Sequence, residues 1–134
     1  PDIAYPYLFN YVKGEEYRTQ KMVSGLLSKH FKNSPDGIPG NDDTGTMSAW
    51  AVFSMMGIYP VNPAEPMYAL TKPKFDKITI HLDGEYYRDK ALVIKSGKSF
   101  KGEAIQKISI DGKPLKGYFI SHQDLVNTSE FIID

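Results

Sequence analysis

Helices first and strands after, an α+β chain, is the fold class that this sequence predicts, and three observations carry the prediction. The first ~60 residues place apolar side chains at helical spacing. The remainder breaks into short runs whose apolar residues alternate with period two. Between the two textures lies a proline-rich connector, "GIYPVNPAEP". This divides the chain into a helical region, 1–62, and a strand region, 63–134, with the strands expected to be antiparallel and to form part of a β-sandwich.

The elements follow in order. "PDIAYPYLFNYVKG" predicts a short aromatic-rich helix after Pro6 with Gly14 as its stop. In "EEYRTQKMVSGLLSKHF", Val23, Leu26, Leu27, His30 and Phe31 recur along one helical stripe, with acids at the front and Lys29 and His30 near the back. "KNSPDGIPGNDDTG" is a loop by its Pro, Gly, Asn and Asp content. The next segment, "TMSAWAVFSMMG", predicts a helix greasy around its whole circumference, ended by Gly57 and Pro60. Then "KITIHL", "ALVIKSG", "QKISIDG", "GYFISH" and "EFIID" read as strands of a meander or sandwich. Asp83-Gly84 and Asp111-Gly112 mark hairpin turns.

The totals bound the function. A chain of 134 residues, 41% hydrophobic, is large enough for one folded core. Sixteen basic residues balance sixteen acidic ones without long runs, so there is no electrostatic footprint for nucleic acid or an acidic membrane. No apolar run approaches the ~20 residues of a membrane span. With no cysteine, thiolate catalysis, disulfides and cysteine metal sites are excluded. A start of "PDIAYPYLFNY", without signal peptide or initiator methionine, is expected of a piece cut from a longer protein.

Most apparent motifs fail on inspection. "SGKS" at 96–99 lacks the upstream glycine of a phosphate loop, since Leu92 stands there. "NDDTG" lacks the alternating ligands and closing glutamate of an EF-hand. His30, His81 and His122 are too far apart in the sequence, on a helix end and two strands, for a zinc site to be expected. The "NTS" triplet at 127–129 is a chance-level glycosylation match, and no Ser-His-Asp set can be assembled.

"GIPGNDDTGTMSAW" remains. Its bland reading is a cap: Asp43 or Thr44 closes the helix N-terminus and the glycines permit the turn. Its chemical reading is a base. Adjacent carboxylates on a loop point in different directions, so one can cap while the other faces a cavity. A helix N-terminus favours a carboxylate's charged form, and an apolar helix behind the loop holds it rigidly.

The longer run "DGIPGNDDTGTMSAWAVFSMMGIYPVNP" resembles the signature near the C-terminus of the glycoside hydrolase family 92 α-mannosidases, in which Gly-(Asn/Asp)-(Glu/Asp)-Asp-x-Gly-x-(Met/Thr)-Ser-Ala-Trp precedes Gly-(Phe/Tyr)-Tyr-Pro. Upstream, "PYLFNY" is similar to that family's Pro-Tyr-Leu-(Tyr/Phe)-Asn-Tyr helix, and "PKFDKITIHL", "IQKISIDGKPL" and "YFISHQDL" are similar to its closing strands. The resemblance implies a C-terminal fragment of a large two-domain, exo-acting, calcium-dependent, inverting enzyme. Residues 1–62 would then be the last helices of an (α/α)6 catalytic barrel and 63–134 a partial β-sandwich.

The same resemblance makes Asp43 the general base, with Asp42 beside it as a second catalytic candidate, Asn41 a substrate contact and Asp43 a calcium ligand. Two departures stand out: Asn41 where some members carry aspartate, and Pro1-Asp2-Ile3-Ala4 where many carry Pro-Ser-His-His. The family's general acid lies upstream, so the fragment alone is expected to be inactive. Its partners would be a mannose-containing glycan and the remainder of the parent chain, and its location secreted or periplasmic. Residues 47–57, stripped of barrel neighbours, are expected to drive self-association or to pack onto the sheet. The competing readings are a carbohydrate-binding module using Tyr86, Tyr87, Tyr118 and Phe119, and a purely structural C-terminal β-module.

Overall fold

A computed structural model describes residues 3–87, 91–97 and 104–134. Pro1 and Asp2 of the opening segment and the end of "SGKS" lie outside the described residues. The first helix is a 3-10 helix, Tyr5–Tyr11, with Pro6 in its first turn, where a missing N–H costs nothing. Helix α1 spans Glu16–His30 and α2 spans Thr46–Met56. Val23 of α1 is buried and Leu26, Leu27 and Phe31 pack beside it, so the predicted stripe is present. His30 departs from it: the side chain is exposed at the helix end.

Strands β1 (Ile58–Tyr59), β2 (Met67–Leu70) and β7 (Phe119–Ser121) form a three-stranded antiparallel sheet in the order β1-β2-β7. A second sheet has the order β3-β4-β8-β5-β6, from Lys77–His81, Ala91–Ser96, Glu130–Ile133, Ile108–Ile110 and Lys113–Pro114. The "KITIHL" alternation holds, with Ile78 and Ile80 turned inward and Lys77, Thr79 and His81 exposed. Asp111 and Gly112 both take positive φ between β5 and β6, as a two-residue hairpin needs.

The sequence prediction needs three corrections. The strands are not all antiparallel: β8 enters between β4 and β5 and pairs parallel to β4, antiparallel to β5. Phe131 and Ile133 of β8 are fully buried there, and alternation alone cannot say which neighbours a strand takes. Asp83-Gly84 begins a short helix, α3 (Gly84–Tyr87), because the Asp83 carboxylate accepts the Glu85 N–H at 2.9 Å. His122 opens another helix, α4 (His122–Asn127), instead of ending a strand.

The small sheet joins the two layers. Ile58, Leu70 and Ile120 share one face and enter the core under the larger sheet; Tyr59, Ala69 and Phe119 share the other and meet the helices. Helix α2 is therefore not buried all round. Trp50, Ala51 and Ser54 face inward, whereas Val52 is 51% exposed. Gly57 ends α2 at φ 83 with Thr71 and Pro73 so close that a Cβ would meet the Thr71 carbonyl oxygen at 2.7 Å.

Buried polar bonds lock the layers. The Tyr7 hydroxyl and Ser54 Oγ are 2.6 Å apart, Asn10 Nδ2 donates to the Leu70 carbonyl at 2.9 Å, and Thr71 Oγ1 donates to Gln20 Oε1 at 2.9 Å. Tyr7 also stacks on Tyr59 at 4.4 Å between centroids. Burial pushes the Tyr7 hydroxyl well above the usual tyrosine range, with the Ser54 bond acting the other way. Tyr7→Phe leaves Ser54 Oγ buried without that partner, and the expected loss is about 1–3 kcal/mol in urea unfolding.

Candidate functional site

The loop after α1 is shaped before it reaches the acidic pair. Lys32 N–H bonds the Gly37 carbonyl and Gly37 N–H bonds the Ser34 carbonyl, both at 2.9 Å. A Cβ on Gly37 would run into the Lys32 carbonyl oxygen, so the closure tolerates only glycine. Phe31 stacks on Trp50 with centroids 5.4 Å apart, tying the end of α1 to α2. Trp50 is 3% exposed and spends its indole N–H on the Ile3 carbonyl at 2.9 Å, which makes it core and not an exposed sugar platform.

At the pair itself the two carboxylates do different work. Asp42 accepts the Ser48 backbone N–H at 2.7 Å and the Ser48 hydroxyl at 2.8 Å, while its carbonyl takes the Met47 N–H at 3.1 Å. The cap expected from Asp43 or Thr44 thus comes from Asp42. Asp43, Thr44 and Gly45 then run through three consecutive positive φ values, 50, 61 and 87. For a β-branched threonine this is strained backbone, of the kind that persists where surrounding bonds enforce it. Here Thr46 supplies them, donating through N–H at 3.3 Å and Oγ1 at 2.7 Å to the Asp43 carbonyl.

The reversal turns the Asp43 side chain away from Asp42. Its carboxylate has no partner among the described residues and lines a pocket of about 520 Å³. Asn41 lines the same pocket, Ile3, Phe31, Met47 and Trp50 form its apolar wall, and His30 reaches it from the end of α1. Two larger concavities have different linings. One, about 660 Å³, sets Lys32, Asn33 and Ser48 among Leu27, Val52 and Met55 and has no carboxylate in its lining; the other, about 860 Å³, is an open cleft where Lys72, Lys74, Lys77 and Lys95 mix with Asp76 and Asp134. Apolar walls with a few convergent polar groups are what a ligand site requires.

The remaining candidates do not assemble. His30, His81 and His122 sit on three different elements, and no three His, Cys, Asp or Glu side chains among the described residues could hold a metal. Tyr86 and Tyr87 are on α3, not on a strand. Tyr87 lies 3.3 Å from His122 Nε2, Phe119 packs on Tyr11, and Tyr118 lies on the sheet core, so these aromatics share no plane.

The glycosyl hydrolase family 92 catalytic domain matches residues 1–134. The chain belongs to glycoside hydrolase family 92. A family GH92 α-mannosidase from Bacteroides thetaiotaomicron in complex with mannoimidazole shares 27% identity over 98% of the chain, with a TM-score of 0.85. A family GH92 inverting mannosidase from the same bacterium shares 30% identity, again over 98%, with a TM-score of 0.83. An Arthroderma benhamiae protein named an uncharacterized secreted glycosidase is 26% identical over 127 residues, 95% of the chain. The chain spans only 17% of each of those structures and 16% of the Arthroderma protein. The mixed helix-and-sheet architecture is thus that of a small portion of a GH92 enzyme.

The division of labour between the carboxylates is testable in the GH92 chain. Asp42→Ala removes the cap and should destabilise by about 0.5–2 kcal/mol, whereas Asp42→Asn, which keeps an acceptor for Ser48, should recover most of the loss. Urea unfolding of both variants measures this.

Proposed function

We propose that these 134 residues are the base-bearing part of an exo-acting, calcium-dependent, inverting α-mannosidase acting on mannose-containing glycans. One observation carries the reading: in the segment resembling the family signature, Asp42 is consumed as a cap while Asp43 faces a pocket with no partner among the described residues. As general base, Asp43 would take a proton from a water molecule as that water attacks the anomeric carbon. A carboxylic acid on the opposite side, supplied by the rest of the longer polypeptide, would protonate the leaving oxygen. In inverting enzymes the two groups lie ~6.5–9.5 Å apart to admit the water.

On this reading residues 1–62 close an (α/α)6 barrel and 63–134 brace it. The exposed Tyr5, Leu8, Tyr11 and Val12 of the first segment would be covered by the remainder of the parent chain. Secretion or periplasmic export belongs to the same reading; no helix among the described residues is long and apolar enough to cross a membrane. Calcium takes about 6–8 oxygen ligands. Asp43 and Asn41 could offer side-chain oxygens, but the described residues do not by themselves fit the ion.

Two outcomes are expected. In the full-length enzyme Asp43→Asn should lower kcat by a factor of ~10²–10⁴ with thermal stability retained, since the lost group is a base and not the cap. Turnover near that of the unsubstituted enzyme would remove the assignment. The 134-residue chain alone should hydrolyse an aryl mannoside no faster than the base-deficient enzyme and should self-associate in sedimentation velocity. A monodisperse monomer, or turnover like a full enzyme, would contradict it.

A further inference from the structure

Beside Asp43 and Asn41, the pocket is lined by a histidine. His30 is in the last turn of α1, one helical turn beyond Leu26, and both side chains line the pocket that holds Asp43. The rotation of α1 is fixed along the same stripe, where Val23 is buried and Leu26 and Leu27 pack with it, and its end is pinned by the Phe31–Trp50 stack. Residues 26 and 30 therefore face the pocket as a consequence of the packing, not by a choice of rotamer alone. The imidazole has no hydrogen bond or ion pair among the described residues, and neither has the Asn41 amide.

We infer that His30 is a substrate-contact residue that hydrogen-bonds a hydroxyl of the glycan held beside Asp43. This rests on the mannosidase reading. The chemistry suits the ligand: a neutral imidazole offers one donor and one acceptor, and a sugar hydroxyl both donates and accepts. Together with Asn41 and Asp43 it makes three polar side chains, from two separate elements, around a wall otherwise built of Ile3, Phe31, Met47 and Trp50. Hydroxyls entering such a pocket lose water, and side chains already oriented there replace it. His30 touches the ligand in this assignment and takes no proton in the reaction.

The test uses the full-length enzyme with His30→Phe, His30→Ala and His30→Gln, read by steady-state kinetics on mannosides and by calorimetric binding of mannoimidazole. Loss of one hydrogen bond predicts a KM and a dissociation constant about fivefold to tenfold higher for Phe and Ala. Because the bond serves ground state and transition state alike, kcat should stay within about twofold, and Gln should recover most of the affinity. The exposed position predicts an unchanged melting temperature. Unchanged KM and binding in both Phe and Ala variants would overturn the inference, as would a fall in kcat with KM unaltered. Asp43→Asn is measured alongside. If that variant keeps its turnover, the mannosidase reading fails and takes this inference with it; if turnover collapses while the His30 variants bind normally, only this inference fails.

Discussion

The bend that carries the candidate site depends on one short pair of bonds, from the Asp42 carboxylate to the Ser48 N–H and hydroxyl. Helix α2 begins with free N–H groups that must find acceptors, and the carboxylate meets that demand from four residues ahead of the helix. With Asp42 held, the next residues cannot continue in the same direction. The chain reverses through three left-handed residues, and the side chain of Asp43 is left over, facing a cavity. A structural need at one aspartate thus creates the chemical opportunity at its neighbour.

Rigidity behind that bend comes from packing. Trp50, one helical turn past Thr46, is clamped by Phe31 on one side and by the Ile3 carbonyl on its indole N–H. Tyr7 and Ser54 anchor the next turn, and the small sheet supplies Tyr59 and Ala69 beneath. Because alternate residues of that sheet point to opposite sides, the helices and the larger sheet share a single hydrogen-bonded layer. The strands are in this sense part of the site: they hold the floor on which α2 rests.

The apolar residues left at the surface belong to the same logic. Tyr5, Leu8 and Tyr11 on the 3-10 helix and Val52 on α2 are more exposed than such side chains are in a finished interior. Helix α2 is apolar all round in sequence but has neighbours on one face. The chain spans about a sixth of the relatives it matches.

Local patterns were legible wherever a single element carries its own signal. The "KITIHL" alternation, the α1 stripe through Val23 and Leu27, the stop at Gly57 and the Asp111-Gly112 turn all follow from periodicity or from φ preferences that short segments possess alone. The acidic bend was legible as a place, since Pro, Gly, Asn and Asp before an apolar run can only be a loop leading into a helix. What the chain could not disclose by itself were the relations between segments. Ile58–Tyr59 is a strand only because Leu70 and Ala69 lie opposite, and β8 is central only because β4 and β5 leave room for it. Which of two adjacent aspartates caps was decided by the reach of Ser48, and His30 joined the pocket because α1 is set by the packing of Val23 and Leu27 and by the Phe31–Trp50 stack. Sequence sets local dihedral and burial preferences; only the folded chain determines which side chains, dozens of residues apart, compete for the same neighbour.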